Sequence, residues 1–202
     1  MKKSFSILEI LTVITIIAVI LTITIPKQTT NKLDLAIDKL ILYLNYTRYI
    51  ALLDNKYDKD NQDWQKKFWS LKFQRCSKKE DGLYFVVFSD ESGGTGAFKK
   101  METLKSPLNN KYLYSNYKCD SKSDEARDIL LTKEYKIARI NVSCNTTSTI
   151  GQISFGHDGQ IYSQLGMNIK KISTPCIIDL YDFNGNSKGI KIEPETGYIN
   201  KL

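Results

Sequence analysis

Residues 5–25 read FSILEILTVITIIAVILTITI and carry a single charge, at Glu9. As a helix, this segment would be roughly 30 Å long, which is about the thickness of the hydrocarbon core of a bilayer. Lys2 and Lys3 precede it, and the positive-inside rule then places the N-terminus in the cytoplasm. The sequence therefore predicts a single-pass membrane protein whose remaining residues lie in an oxidising space.

A secretory signal peptide and a simple membrane anchor are the two alternatives for this segment. A signal peptide has a shorter apolar core and a cleavage site of the Ala-x-Ala type, whereas this run ends Thr-Ile-Pro-Lys-Gln. A simple anchor leaves Glu9 unexplained, because a carboxylate inside a spanning helix costs about 2.5–3.5 kcal/mol on insertion scales. We therefore expect Glu9 to have a positively charged partner.

The text KKSFSILEIL at residues 2–11, followed by the apolar run and Pro26, resembles the N-terminus of type IV prepilins. The resemblance implies that prepilin peptidase cuts between Ser4 and Phe5 and then N-methylates Phe5. Glu9 would become the fifth residue of the mature chain, where the family has its acid, and Pro26 the twenty-second. Ser4 departs from the family pattern, which has glycine before the cut.

The family resemblance also implies how the mature chain assembles. Glu9 of an incoming subunit would meet the α-amine of Phe5 on its neighbour, so that two charges offset each other's desolvation. A helix kink is expected at Pro26, which cannot donate a backbone hydrogen bond. The implied partners are other pilin or pseudopilin subunits, prepilin peptidase and the inner membrane, with the N-terminus cytoplasmic and the head periplasmic.

An amphipathic helix is predicted from residue 31 to residue 55, NKLDLAIDKLILYLNYTRYIALLDN. Apolar or small residues recur at spacings of four and three, which places them on one helix face. We interpret this face as packed on a sheet; its members are Leu33, Ile37, Leu40, Leu44, Thr47 and Ala51.

After residue 55 the pattern changes to short segments rich in β-branched and aromatic residues. Strands are predicted at residues 69–74, 83–88, 137–142 and 152–155, followed by a hairpin across Asn184-Gly185. The predicted fold class is α+β and pilin-like: a long N-terminal helix, with a transmembrane half and an amphipathic half, packed on an antiparallel β-sheet head. The predicted parts are a leader at 1–4, a transmembrane and assembly helix at 5–25, the second half of the helix at 26–55 and a head at 56–202.

Three segments of this head resemble the H-type minor pseudopilins of type II secretion. They are LNYTRYIA at residues 44–51, ISFGHDG at residues 153–159 and IKIEPETGYI at residues 190–199.

Four cysteines are spread widely along the chain, at Cys76, Cys119, Cys144 and Cys176. None forms a C-x-x-C pair and the chain has one histidine, so no structural zinc site is expected. An even number of cysteines in an oxidising space predicts two disulfides, for which three pairings exist. We favour Cys76–Cys119 with Cys144–Cys176.

No enzyme signature is present. The chain lacks a G-x-S-x-G elbow and a phosphate-binding G-x-x-x-x-G-K-[ST] loop, and His157-Asp158 is interpreted as part of a turn. An acidic group lacks the spacing of a calcium loop and is interpreted as solvated surface; it comprises Asp120, Asp124, Glu125 and Asp128. We predict no catalytic residues, no metal and no cofactor.

The sequence thus predicts a structural subunit of a filament that serves type II secretion, a type IV pilus or DNA uptake. The formal charge of +7 leaves a second hypothesis, a DNA-binding pseudopilin that uses aromatic and basic residues of the head. Its candidate contacts are Trp64, Lys66, Lys67, Phe68 and Trp69. A third hypothesis, a membrane-anchored periplasmic hydrolase, would depend on His157.

Overall fold

A computed structural model describes residues 6–24, 31–77, 79, 81–92, 98–165 and 169–202. The chain divides into two compact units, Met1–Thr30 and Asn31–Leu202. Ser4, Phe5 and Pro26, which carry the predicted cleavage, methylation and kink, lie outside the described residues.

In the first unit, the described part is one helix, α1, at Ile7–Thr24. No helix among the described residues is long and apolar enough to cross a membrane. The predictions of a transmembrane helix at 5–25 and of a single-pass inner-membrane location are therefore wrong.

The second unit begins with helix α2 at Lys32–Leu53, which has its own N-terminal cap. The backbone of Asn31 is extended, with φ −66° and ψ 113°, and its side chain accepts a hydrogen bond from the amide of Leu33 at 3.0 Å. A capped first turn marks the beginning of a separate helix, because the cap replaces the acceptors that a preceding turn would supply. The predicted single long N-terminal helix is therefore wrong.

The predicted buried stripe of α2 is confirmed. Its six members are at most 3% exposed, and Ala36 and Tyr43 are buried beside them. The helix contacts β1 and β4 of one sheet and β7, β8 and β9 of another, so it forms the centre of the hydrophobic core.

The described strands of the second unit form two antiparallel sheets rather than one. The first sheet has the order β2-β1-β4-β5-β6. Its strands are β1 (Trp69–Arg75), β2 (Leu83–Phe88), β4 (Gly151–Phe155), β5 (Ile161–Gln164) and β6 (Lys170–Lys171). The second has the order β3-β7-β8-β9. Its strands are β3 (Ile137–Val142), β7 (Cys176–Asp182), β8 (Ser187–Ile192) and β9 (Ile199–Lys201).

The four predicted strands and the hairpin between β7 and β8 are confirmed in position. A five-residue helix, α3 at Leu131–Tyr135, leads into β3. The coarse class is thus α+β with antiparallel sheets.

Both disulfides are formed, Cys76–Cys119 and Cys144–Cys176. The prediction of two disulfide bonds is therefore confirmed, with the pairing favoured from the sequence. The first joins the end of β1 to the loop before α3, and the second joins the loop after β3 to the start of β7. Each bond restricts the unfolded chain and so stabilises the second unit, by about 4 kcal/mol in the chain-entropy account.

Candidate assembly helix

The surface of α1 is apolar on every side. Over residues 7–17 the helix turns through about three full turns, and the large apolar side chains on all of them are 50–81% exposed. These side chains are Ile7, Leu8, Ile10, Leu11, Val13, Ile14, Ile16 and Ile17. A helix that is hydrophobic all round is, in folded proteins, normally covered on all sides.

Two threonine hydroxyls of α1, those of Thr12 and Thr15, have hydrogen-bond acceptors within the helix itself. The hydroxyl of Thr12 donates to the backbone carbonyl oxygen of Glu9, and the hydroxyl of Thr15 donates to the backbone carbonyl oxygen of Thr12, both at 2.8 Å. Burying these two threonines against another helix therefore leaves neither hydroxyl without a partner. Glu9 is the one charged group of the helix.

Glu9 and Ser6 cap the first turn of α1 together, in an arrangement close to a capping box. The amide of Ser6 donates to Oε2 of Glu9 at 3.2 Å, and the amide of Leu8 donates to the hydroxyl oxygen of Ser6 at 3.3 Å. The carbonyl of Ser6 accepts from Ile10, which makes Ser6 the first half-helical residue. The pair supplies acceptors for amides that have no partner within the helix.

This capping role was missed in the sequence, although its signal is there. Ser6 and Glu9 are three residues apart and stand directly before an apolar run, which is the signature of a capping box. The carboxylate also lies in the first turn, where the helix dipole favours negative charge. Glu9 thus has a local structural role, separate from the predicted charge pair with Phe5.

The aromatic residues of the hypothetical DNA-binding surface are engaged within the second unit. Phe68 is 3% exposed, and the ring of Trp64 packs edge-on against Phe68 and Tyr57 at centroid distances of 5.4 and 5.2 Å. The indole of Trp69 donates a hydrogen bond to Asp54 at 2.7 Å. These contacts engage the three rings within the second unit.

The neighbouring lysines are also paired. Lys66 lies 2.7 Å from a carboxylate oxygen of Asp63, and Lys67 lies 3.9 Å from one of Glu91. The basic character that suggested a nucleic-acid partner is therefore largely compensated at this surface.

His157 packs its ring against Trp64 at a centroid distance of 5.7 Å. Its Nδ1 is buried and has no hydrogen-bond partner among the described residues. A general base needs a second group to orient its ring and a nucleophile within reach. No described group orients the ring through Nδ1, so the arrangement gives no support to the hydrolase hypothesis.

The acidic residues at 120–128 are used in separate ways. Asp124 and Glu125 both accept hydrogen bonds from the ammonium of Lys100, at 2.7 and 3.0 Å, while Asp128 contacts Tyr43. Among the described residues, no group of three His, Cys, Asp or Glu side chains could hold a metal ion.

The chain matches no protein-family model, no curated protein and no solved structure.

Proposed function

We propose that this chain is a structural subunit, of the minor pilin or pseudopilin kind, in a filament of type II secretion, a type IV pilus or DNA uptake. The supporting observation is the all-round apolar surface of α1. Copies of α1 from neighbouring subunits would cover one another as a helical bundle, which removes this surface from water. The second unit, held by two disulfides, would contribute the contacts specific to each partner.

Glu9 sets the register of this bundle. A carboxylate among apolar helices needs an opposite charge, and the capping bond from Ser6 supplies only a neutral donor. Cleavage between Ser4 and Phe5 by prepilin peptidase would create an α-amine, and N-methylation would keep its positive charge. The amine of a neighbouring subunit then pairs with Glu9. Only one axial offset between the two helices brings the amine and the carboxylate together, so that neither charge is left unpaired.

Substitutions at the capping box separate the assembly role of Glu9 from its capping role. Glu9→Gln keeps an oxygen that can accept from Ser6 but removes the charge, whereas Ser6→Ala removes the serine half of the box and keeps the charge. We expect Glu9→Gln to abolish recovery of the tagged chain with sheared filaments from its native host, and Ser6→Ala to retain it. The opposite result, assembly of Glu9→Gln and failure of Ser6→Ala, would assign Glu9 to capping alone.

Processing is tested by the intact mass of the chain purified from its native host. The proposal predicts the loss of residues 1–4 and the gain of one methyl group at Phe5. A mature chain that still begins at Met1 would contradict the charge pair, since no free amine would then stand next to Ser6.

A further inference from the structure

A cavity of about 360 Å³ lies at the end of β1 in the first sheet, beside the loop that precedes β4. Lys72, Gln74 and Arg75 line one wall, and Ser148 and Thr149 line the other. Its volume is within the range of small-molecule sites, which is about 300–1,000 Å³. The lining contains two cations and no carboxylate, so the cavity is positively charged.

Lys72 is the most unusual member of this lining. It is half-buried on β1, between Leu71 and Phe73, whose side chains lie in the core. Its ammonium forms no hydrogen bond or ion pair with any described residue. Burial lowers the pKa of Lys72, and the charge of Asp90 acts in the opposite direction. A partly desolvated cation without a bonded partner is costly, and an anion in the cavity would offset that cost.

Gln74, next to Lys72 on the same face of the sheet, has a free hydrogen-bond donor, whereas the amide nitrogen of Gln152 is used within the sheet. Tyr84 donates its hydroxyl to Oε1 of Gln74 at 2.7 Å, which fixes that amide and leaves its Nε2 as a donor. Across the β1–β4 pairing, the amide nitrogen of Gln152 donates to the hydroxyl oxygens of Ser70 and Ser154, at 3.2 and 2.9 Å. The two serines also bond each other at 2.7 Å, so the three form a closed group that does not need Lys72.

The opposite wall is held in place before any ligand enters. Asn145 accepts from the amide of Thr147 at 3.2 Å and donates to the carbonyls of Thr147 and Thr149, at 3.2 and 2.5 Å. The adjacent Cys144 is fixed to β7 through its disulfide with Cys176. A wall that is already ordered loses little entropy when a ligand binds.

The cavity lined by Lys39, Lys111 and Arg127 provides a contrast. It is larger, about 530 Å³, but Asp128 and Glu134 line it too. Glu134 lies 3.4 Å from Arg127, and Asp128 lies 3.8 Å from Lys39, so two of its three cations already have anionic partners. Arg75, in the smaller cavity, has no ion pair with any described residue.

We propose that the cavity beside β1 binds a small oxyanion of the phosphate class, with Lys72 supplying charge, Gln74 and Ser148 supplying hydrogen bonds, and Arg75, exposed at the end of β1, adding a second positive charge. A guanidinium and an ammonium together match a tetrahedral anion with several oxygens, since one presents paired donors and the other a compact charge. The space exceeds that of phosphate alone, so a phosphomonoester of a small alcohol also fits. This proposal does not rest on the function proposed above.

Calorimetric titration of the purified full-length chain with inorganic phosphate at low ionic strength tests this proposal. Lys72→Met removes the ammonium and keeps an apolar stem, and Arg75→Gln removes the guanidinium. We expect each to weaken phosphate binding about tenfold or more, which corresponds to 1.4 kcal/mol. The control is Lys118→Met at an exposed lysine, which changes the net charge equally and should alter the affinity less than about twofold.

Further titrations define the ligand. Lys72→Arg, which keeps the charge, should restore most of the affinity, and acetate should bind about tenfold more weakly than phosphate. If glycerol phosphate binds more tightly than inorganic phosphate, the ligand is a phosphate ester. Equal affinities would identify the free anion as the ligand. The proposal is overturned if the native chain binds no phosphate up to about 10 mM, if Lys72→Met binds normally while folded, or if acetate binds as well as phosphate.

Discussion

The hydroxyl of Tyr43 donates a hydrogen bond to Oδ2 of Asp128 at 2.5 Å. Tyr43 is fully buried on α2, and Oδ1 of Asp128 is buried without a hydrogen-bond partner among the described residues. In Tyr43→Phe the carboxylate would retain only Lys39, 3.8 Å from Oδ2. We expect the free energy of unfolding in urea to fall by about 1–3 kcal/mol, because a partly buried charge loses its bonded donor.

Two further variants check this explanation. Tyr49→Phe, at an exposed position of the same helix, should change the free energy of unfolding by less than about 0.5 kcal/mol. When Asp128→Asn is already present, Tyr43→Phe should cost less, since no buried carboxylate then remains to be satisfied. Equal costs in the two backgrounds would show that the stability of the unit does not depend on this bond.

The buried tyrosines predict a loss of stability at high pH. Burial raises the pKa of Tyr84 to about 12, and burial also raises the pKa of Tyr43 and of Tyr135 well above the usual range. A hydroxyl whose pKa is higher in the folded chain favours folding below its unfolded pKa of about 10, and this contribution is lost as the pH rises above that value. We therefore expect cooperative unfolding between about pH 10 and pH 12, followed by tyrosinate absorbance and circular dichroism.

Substitution of one of these tyrosines measures how much it contributes to the loss of stability at high pH. Tyr84→Phe removes one group that must ionise on unfolding, although it also removes the bond to Gln74. The variant should be less stable at neutral pH but lose less stability per pH unit above pH 10. If the free energy of unfolding falls with pH at the same rate in the variant and the native chain, Tyr84 is not a source of the alkaline transition.

The inner face of α2 could be predicted because it depends on a repeat within one segment. Leu33, Ile37 and Leu40 follow helical spacing, and the core covers them in order. Tyr43 could not be assigned in the same way, because its partner Asp128 is 85 residues away and a hydroxyl gives no periodic signal. The pairing of strands into two sheets is likewise a long-range property, which the local strand patterns do not contain.

The error over the N-terminal helix has a different origin. Hydrophobic length suggested that residues 5–25 cross a membrane, and continuous periodicity suggested a single helix to residue 55. Local capping signals at Ser6, with Glu9, and at Asn31 show where each helix begins. These signals are short-range hydrogen bonds, which an average over hydropathy does not detect.

Asp34 connects α2 to the second sheet and predicts sensitivity to acid. A hydrogen bond from Lys188 on β8 lowers the pKa of Asp34 below its usual range; burial opposes this shift and Lys201, 3.3 Å away, adds to it. A carboxyl whose pKa is lower in the folded chain stabilises it above the unfolded pKa of about 4, and this contribution is lost as the pH falls through the folded pKa. Asp34→Asn should therefore be less stable at neutral pH and lose less stability below about pH 4.

The acid limb of urea unfolding, measured between about pH 6 and pH 2, tests this prediction. Asp120→Asn removes an equal charge from an exposed side chain and should leave the dependence of the free energy of unfolding on pH unchanged in this range. If both variants reduce the loss of stability at low pH equally, net charge rather than the contact with Lys188 would explain the sensitivity to acid.

Gly197, just before β9, lies against Gly159 in the turn between β4 and β5. Its backbone has φ +62°, and a Cβ there would stand 2.8 Å from the carbonyl oxygen of Gly159 and 3.1 Å from the ring of Phe155. Gly197→Ala therefore combines left-handed strain with a clash against backbone. Gly185, in the hairpin between β7 and β8, has φ +86° with nothing within 4 Å of its virtual Cβ, so Gly185→Ala carries the strain alone.

We expect Gly185→Ala to lower the free energy of unfolding by about 1–2 kcal/mol, the usual cost of a left-handed alanine. Gly197→Ala should cost about 1–3 kcal/mol more, because the two turns must separate or the ring of Phe155 must shift. Urea denaturation of both variants measures this difference. Equal losses would contradict the close approach of the two turns, since the backbone strain is common to both positions and only the contact distinguishes them.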